Sequence, residues 1–586
     1  MRQWMVAAKK ADFYAIAEKF HVDPVVARII RNREVIGEKN IRIYLGGNLS
    51  DLSDPHQMKD MDRLVEILAQ KIRKQVRIRI IGDYDVDGVT SSHLFLMALR
   101  RVGAKVDVVI PHRIQDGYGL SLHLLQQAKE DGVDTILTCD NGIAAIDEIA
   151  WAKAQKMTVL VTDHHAVPFE EHEGRRTEKK SLADAVVNPH QQDCGYPYKE
   201  LCGAGVAWNV IRVLYENYDM DKREAEDLLD FVAMATVCDV MSLTGENRIL
   251  VKEGLKRIRH TKNIGLQALM QACNVQPENI SAYHVGYVLG PCVNATGRLD
   301  TARHALRLFE TGQETEAEEI ARDLVDLNQE RKELTLQGVE MAKKLCEEGG
   351  YENDPVLVLF LPDVHESIAG LIAGRIREMY NRPVFVLTRG EEGVKGSGRS
   401  TENYSMYENM CGCAELFTKF GGHPMAAGLS LPEENVEKFR RKINENCPLT
   451  VEEVCPDIHI DMAMPVGYAS TELVHQFALL EPFGKDNPSP LFADRNLSIS
   501  RMWLIGKNRN VLRMSVLSEY GQPVPVIFFG DVETLFAYFT EKFGQEEVEN
   551  ALHGRKNRIL FSMVYTAKID FYQGNENLQL EMKYYR

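Results

Sequence analysis

The chain of 586 residues lacks any apolar run long enough to cross a bilayer, which excludes a membrane-spanning helix. Its first residues, MRQWMVAAKKADFYAIAEKF, are interrupted by charge throughout and carry no secretory pattern. Paired cysteine spacing is missing as well. The eleven cysteines fall at irregular intervals, and Cys411 and Cys413 are too close together for a zinc knuckle. Reduced thiols and a cytoplasmic location are therefore expected, without a disulfide framework. Basic charge is also in deficit: the net charge of −16 argues against indiscriminate nucleic-acid binding but permits a local basic channel. Apolar content of 45% and charged content of 26% are those of a soluble globular protein, and the length implies roughly three or four domains.

What the sequence has is a recurring arrangement of acids. In VRIRIIGDYDVDGVTSS (76–92) a β-branched run reads as a buried strand, and Asp83, Asp85 and Asp87 follow it at alternate positions. Three carboxylates this close repel one another unless a cation sits among them. A calcium loop fails at its twelfth position, where Leu94 replaces the required Glu. A catalytic metal site and a solvated acidic turn remain. The pattern then repeats: DTILTC ends at Asp140-Asn141-Gly142, and TVLVT ends at Asp163-His164-His165. Helix-like segments at 89–101, 120–130 and 145–156 separate the runs, which implies a parallel doubly wound sheet. Such sheets collect ligands at the carboxyl ends of their strands. Oxygen ligands with imidazole suit Mg²⁺ or Mn²⁺ better than zinc, and Asp163 could fix the tautomer of a neighbouring histidine. Asp239 closes the apolar helix-like run FVAMATVC, where a helix C-terminus disfavours an acid, so a ligand role is the better reading.

Further along, Arg113 and Tyr118 lie in PHRIQDGYGLS after the strand 106–110, placed to meet phosphate and to stack on a base. Gly203 and Gly205 open a helix whose N–H groups could face an anion or could simply pack. Residues 1–75 read as an N-terminal helical cover for the catalytic sheet, which runs from 76 to 300. Residues 301–350 read as a long connecting helix, and 351–435 as a second α/β unit. There the glycines of KGSGRS and FGGHPMAAG suggest loops that admit a ligand close to the backbone, with Ser397, Arg399 and His423 as substrate contacts. From 451 to 586 short β runs separated by turn residues read as a small barrel, in which Phe528, Phe529 and Tyr565 are candidate stacking rings against a background of core aromatics.

DYDVDG, TCDNG, DHH and ATVCDVM, in this order, resemble the four motifs of the DHH phosphoesterases. GPCVNATGRLD (290–300), KGSGRS and FGGHPMAAG narrow the resemblance to the RecJ branch, single-strand-specific 5′→3′ exonucleases, over nearly the whole chain. The resemblance implies a two-lobed α/β fold, with a DHH catalytic domain, a DHH-associated domain whose GGH loop faces the metal cleft, and an oligonucleotide-binding barrel. It implies two ions, Mn²⁺ or Mg²⁺: one on Asp83, Asp85 and Asp140, the other on Asp87, Asp140, His164 and Asp239. His165 would donate to the scissile phosphate, oriented by Asp163, and Arg113, Arg298, Ser397 and Arg399 would hold substrate phosphates. The implied enzyme is a monomer that degrades single-stranded DNA to 5′-mononucleotides in repair and recombination, supplied by a helicase and a single-strand-binding protein. Two rivals stand beside it: a DHH phosphodiesterase of short oligonucleotides or cyclic dinucleotides, for which the barrel is superfluous, and a non-catalytic replication scaffold, in which degraded acids would be expected.

Overall fold

The four apolar runs between positions 76 and 162 become parallel strands β1 (Arg77–Ile81), β2 (Lys105–Val109), β3 (Thr135–Cys139) and β4 (Thr158–Thr162), joined by β5 (Ala185–Val187). Their order in the sheet is 2-1-3-4-5. The chain reverses its direction of growth between β1 and β3, and a crevice opens at such a switch point. Side chains alternate across the sheet. Ile78, Ile80, Leu137 and Leu160 face α1 (Met61–Arg73), α2 (Val86–Arg101), α3 (Gly203–Asn217) and α4 (Leu229–Cys238). Ile81, Ile136, Val159 and Val161 pack on the opposite face with Leu125 and Ile149. Both faces are covered, which is why these strands read as continuous apolar runs.

The helix α5 (Gly290–Leu299) follows, and then α6 (Glu314–Glu348), a 35-residue helix about 52 Å long at 1.5 Å per residue. Beyond it a second sheet holds β6 (Leu357–Phe360), β7 (Val384–Arg389), β8 (Val394–Arg399), β9 (Lys419–His423) and β10 (Ala426–Leu431), in the order 9-10-8-7-6. The helix α7 (Ala369–Tyr380) covers one face of it. The structure, a computed structural model, describes residues 3–113, 116, 119–172, 175–390, 393–506, 510–572 and 574–586. Contacts divide them into one unit of residues 49–456, containing both sheets, and a second of residues 3–48 with 457–586.

In the second unit the strand Phe492–Ile505 pairs with Val511–Leu517 on one side and Leu560–Tyr572 on the other. The ladder runs on through Pro523–Phe528 and Asn575–Tyr585 and so closes a barrel. Two helices, Val532–Phe543 and Gln545–Leu552, interrupt the β runs, which the sequence reading passed over.

Residues 1–75 do not act together as a cover for the catalytic sheet. The stretch from Leu49 onward packs there, with Leu49, Leu52, Met58 and α1 in or against the same core as Ile78 and Ile80. Val25, Val26, Ile29 and Ile30, from the helix Pro24–Asn32, belong to the barrel's core with Phe477, Leu480 and Phe492. Trp4–Val6 adds a parallel strand to Ile458–Ile460, and Arg33 makes a two-pronged, largely buried ion pair with Asp461 at 2.7 and 3.1 Å. The physical reason is that an amphipathic pattern records a buried face without recording what buries it. Asp23 caps this helix, accepting from Val25 N at 2.8 Å, with Pro24 in the first turn.

Candidate metal centre and phosphate cleft

The acids of β1 and β3 meet at the switch point. Asp85 caps α2, accepting from Gly88 N at 3.0 Å, so Asp83 and Asp85 leave the strand and Asp87 rides on the first helical turn. At the end of β3, Asp140 sits at φ +61°, a left-handed conformation that Asp tolerates better than most residues. Asn141 then donates to the carbonyls of Ile81 at 3.0 Å and Cys139 at 2.9 Å, tying the ends of β1 and β3 together. His164 follows β4. Its Nε2 lies 3.0 Å from Asp140 Oδ1 and 3.6 Å from both Asp87 Oδ2 and Asp239 Oδ2.

The anion facing the Gly203 helix is one of these acids. Asp87 accepts from Gly203 N at 2.6 Å and Ala204 N at 2.7 Å, so the positive end of α3 meets the Asp87 carboxylate. A Cβ on Gly203 would lie 2.6 Å from Asp140 Cβ and 3.0 Å from Asp87 Oδ2; only glycine fits.

Ligand atoms fall into three groups, each within 4.8 Å: Asp83, Asp85 and Asp140; Asp87, His164 and Asp239; and Asp140, His164 and His165. Burial, then repulsion from Asp85, pushes Asp83 well above the ordinary carboxylate range. Burial and the neighbouring acids do the same to Asp140, and burial with Asp87 raises Asp85. His164 is held below its usual value by burial, which keeps the imidazole neutral and able to donate a lone pair. Asp83 Oδ1 and His164 Nε2 are buried without a hydrogen-bond partner among the described residues. Buried acids that repel, a neutral imidazole and unsatisfied donor atoms fit a pair of hard divalent cations.

Asp163 stands behind this shell. It accepts from the backbone of Ile143, His164 and His165 at 2.7–3.0 Å and from His165 Nδ1 at 2.8 Å. Burial works against its charge, but His165 and these N–H groups outweigh burial and hold Asp163 below its usual value. His165 is likewise opposed by burial, yet Asp163, Asp239 and Asp87 lift it to about 9, so it is a cation at neutral pH.

The basic side of the site lies across a cleft of about 440 Å³, lined by Tyr84, Arg113, Ser367, Lys395 and Ser397. The Arg113 guanidinium lies 4.9 Å from the centre of the Tyr84 ring. Arg298, on α5, donates to the Ser367 carbonyl at 2.7 Å, bridging the two lobes. Burial and then the charges of Arg113, Arg331 and Arg399 bring its pKa down to about 10, and burial with Arg113 lowers Arg399 too. Guanidiniums that destabilise one another mark a place for an anion.

Ser397 lines the cleft, with Arg399 two residues on along the same strand, for a reason the sequence reading misassigned. KGSGRS is the strand β8, not a glycine-rich loop. With a period of two, Lys395, Ser397 and Arg399 share one face and Gly396 and Gly398 the other. A Cβ on Gly396 would strike Leu387 at 2.4 Å, and one on Gly398 would strike Met406 and Phe385 at 2.5 and 2.7 Å, so these glycines serve packing. The GGH segment is likewise strand β9, and His423 is exposed at its end, outside the residues lining the cleft. Tyr118 lies outside the described residues. In the barrel, Phe528 and Tyr565 are core, and Tyr565 donates its hydroxyl to Met464 O, while Phe529 is exposed.

Two groups escaped the sequence reading. Asn294, four residues before Arg298, accepts from Val86 N at 3.1 Å and so anchors α5 to the acid loop; the i, i+4 spacing in NATGR was the available signal. Gly370, in the first turn of α7, lies so close to the cleft that a Cβ would meet Ser397 Oγ at 2.8 Å and Arg399 Nη2 at 2.9 Å. A glycine among the apolar residues of a helix gave no such warning.

Family models match in three blocks: the DHH family N-terminal domain at 77–236, the DHHA1 domain at 353–447 and the RecJ OB domain at 460–584. The Haemophilus influenzae single-stranded-DNA-specific exonuclease RecJ is 32% identical over 582 residues, 96% of each chain. That of Bacillus subtilis is 33% identical over 512 residues, 87% of this chain; the chain spans only 63% of the Bacillus protein's length. The crystal structure of Thermus thermophilus RecJ with Mn²⁺ superposes with a TM-score of 0.81 at 25% identity, covering all of this chain and 79% of that one. With the catalytic sheet, its partner lobe and the barrel all matched in order, the chain belongs to the RecJ family of DHH proteins.

Proposed function

We propose that this protein is an exonuclease, dependent on Mn²⁺ or Mg²⁺, that removes 5′-mononucleotides from the 5′ end of single-stranded DNA. The observation that carries the reading is the pairing of five carboxylates and a neutral histidine with a cluster of mutually repelling arginines, Arg113, Arg298 and Arg399, beside the cleft, bridged by α5. Asp83, Asp85 and Asp140 would hold one ion, and Asp87, Asp140, His164 and Asp239 the other, with Asp140 shared. Bound there, two ions supply a hydroxide nucleophile and stabilise the departing 3′-oxygen. The chain's own residues do the rest. Asp163 fixes the His165 ring through Nδ1, leaving the charged Nε2–H to donate to a phosphate oxygen as negative charge builds on it. Arg113, Arg298, Ser397 and Arg399 hold backbone phosphates, and a terminal 5′-phosphate among them sets where cutting begins. The barrel supplies a further grip on the strand.

An enzyme restricted to single strands needs another protein to open the duplex. A helicase and a single-strand-binding protein are therefore the expected partners, in DNA repair and recombination, for a cytoplasmic enzyme that acts as a monomer. The test uses single- and double-stranded oligonucleotides labelled at either end, with Mn²⁺ and with Asp140→Ala as control. Mononucleotides released from 5′-labelled single strands, and abolished in Asp140→Ala with DNA binding intact, are the expected result. Degradation from the 3′ end, equal attack on duplex, or a fully active Asp140→Ala would overturn the reading.

A further inference from the structure

Two exposed aromatic rings sit on the helical run that packs against Cys238, the neighbour of Asp239, and have no part in the chemistry above. Residues 282–299 form one helical run, in which Val285–Leu289 widen into a π-helical turn before α5. Such turns recur at functional sites. Tyr283 and Tyr287, four residues apart on this run, stack with ring centres 5.3 Å apart and planes at 27°. They are 64% and 73% exposed. The turn leans on the end of α4: Cys238 Sγ lies 3.6 Å from Val285 O, and Cys238 precedes the ligand Asp239. Val240 comes next, 63% exposed and held at φ +54°. A β-branched residue in the left-handed region is strained, and such strain persists where the surroundings over-determine it.

The direction of the helix gives the surface its place. At one end Arg298 reaches the arginine cluster, and at the other the run that carries the tyrosines packs on Cys238, next in sequence to Asp239, with Tyr287 and Arg298 eleven residues apart, roughly 16 Å. The metal-ligand acids lie between, against Asn294. A strand whose 5′ end is fixed among the arginines has its scissile phosphate at the acids, and its next bases arrive at the tyrosines.

We propose that Tyr283 and Tyr287 form a base-stacking platform for the incoming single strand, a few nucleotides on the 3′ side of the scissile phosphate. This rests on the exonuclease reading. The pair suits bases better than a peptide, because parallel exposed rings present flat π-faces that every base can cover whatever its sequence. The platform therefore favours strand length and not base identity, and it holds the strand in place between successive cuts.

The test compares wild type, Tyr283→Ala/Tyr287→Ala and Tyr283→Phe/Tyr287→Phe on a 5′-phosphorylated dinucleotide and a 12-mer, with Mn²⁺. The 12-mer's affinity is also measured in EDTA by fluorescence anisotropy, which needs no cleavage. The double alanine variant should raise KM and Kd for the 12-mer about tenfold or more, in line with the loss of at least one base stack. It should leave the saturating single-turnover rate and all dinucleotide kinetics unchanged, and the phenylalanine pair should behave as wild type. A Kd for the 12-mer within twofold of wild type, an equal loss on the dinucleotide, or a collapsed rate at saturation overturns the platform. Wild type that binds the 12-mer but does not cut it refutes the exonuclease reading instead, and the EDTA affinities still decide the platform.

Discussion

Replacing Gly203 with alanine tests whether the helix N-terminus, the bridging acid and the second ligand set depend on one contact. The added methyl group would sit 2.6 Å from Asp140 Cβ, whereas carbons pack at about 3.5–4.0 Å. No rotamer change relieves a clash with a Cβ, so α3 and the Asp140 turn must part by about 1 Å. That lengthens the 2.6 and 2.7 Å bonds from Gly203 N and Ala204 N to Asp87 beyond hydrogen-bond range. Bonds to a charged group contribute about 1.5–3 kcal/mol each, so the change costs about 3–6 kcal/mol, divided between folding and metal affinity. A displacement of about 1 Å at reacting groups can also cost about a hundredfold in rate. Gly205→Ala is the matched control, since its Cβ would meet Leu201 at an ordinary 3.4 Å. Single-turnover cleavage as a function of Mn²⁺, together with thermal unfolding, should show a lower Tm, weaker Mn²⁺ saturation and about a hundredfold slower cleavage for Gly203→Ala alone. If Gly203→Ala cuts within about threefold of wild type with unchanged Mn²⁺ dependence, the shared contact is not what shapes the site.

Arg399→Ala removes one of the cations beside the cleft and should weaken use of 5′-phosphorylated strands about 10- to 100-fold while 5′-hydroxyl strands change little, measured as kcat/KM; equal losses on both would refute a terminal-phosphate pocket. Asp83, Asp85 and Asp140 have folded pKa values raised by burial and repulsion, so the stability they permit is complete below about pH 4 and is lost as pH rises through those values. The metal-free protein in EDTA should therefore melt lower as pH is raised from about 4, and the rise in Tm on adding Mn²⁺ should grow with pH; a rise independent of pH would contradict the assignment. Deleting 457–586 alone exposes Val25, Val26, Ile29 and Ile30, so that fragment should aggregate, whereas residues 49–456 should stay soluble, cleave short strands and bind long ones poorly. Light scattering and strand-length titrations separate these outcomes, and a soluble, monodisperse 1–456 fragment would show that those residues do not need the barrel.

Much of the site was legible because a parallel sheet leaves the chain no choice of edge. Once 76–162 reads as strand–helix alternation, each acid that follows a strand arrives at the same rim, and Asp83, Asp140 and His164 converge without any knowledge of contacts. The helical character of 24–31, the long α6 and the β runs of the barrel were legible for a related reason: each depends on residues close in sequence. What depends on distant partners was not. The sequence offered Gly203 an anion without showing that the anion was Asp87, more than a hundred residues earlier. KGSGRS has the composition of a loop, and only the packing of Leu387, Phe385 and Met406 against its glycines makes it a strand that aims Ser397 at the cleft, with Arg399 two residues on. The apolar stripe of Pro24–Asn32 announced a buried face, yet its partner lies some 450 residues away in the barrel. Local patterns fix which groups a segment must bury or cap; which surface meets that need is decided when the whole chain packs, because hydrophobic burial is non-directional and carries no address.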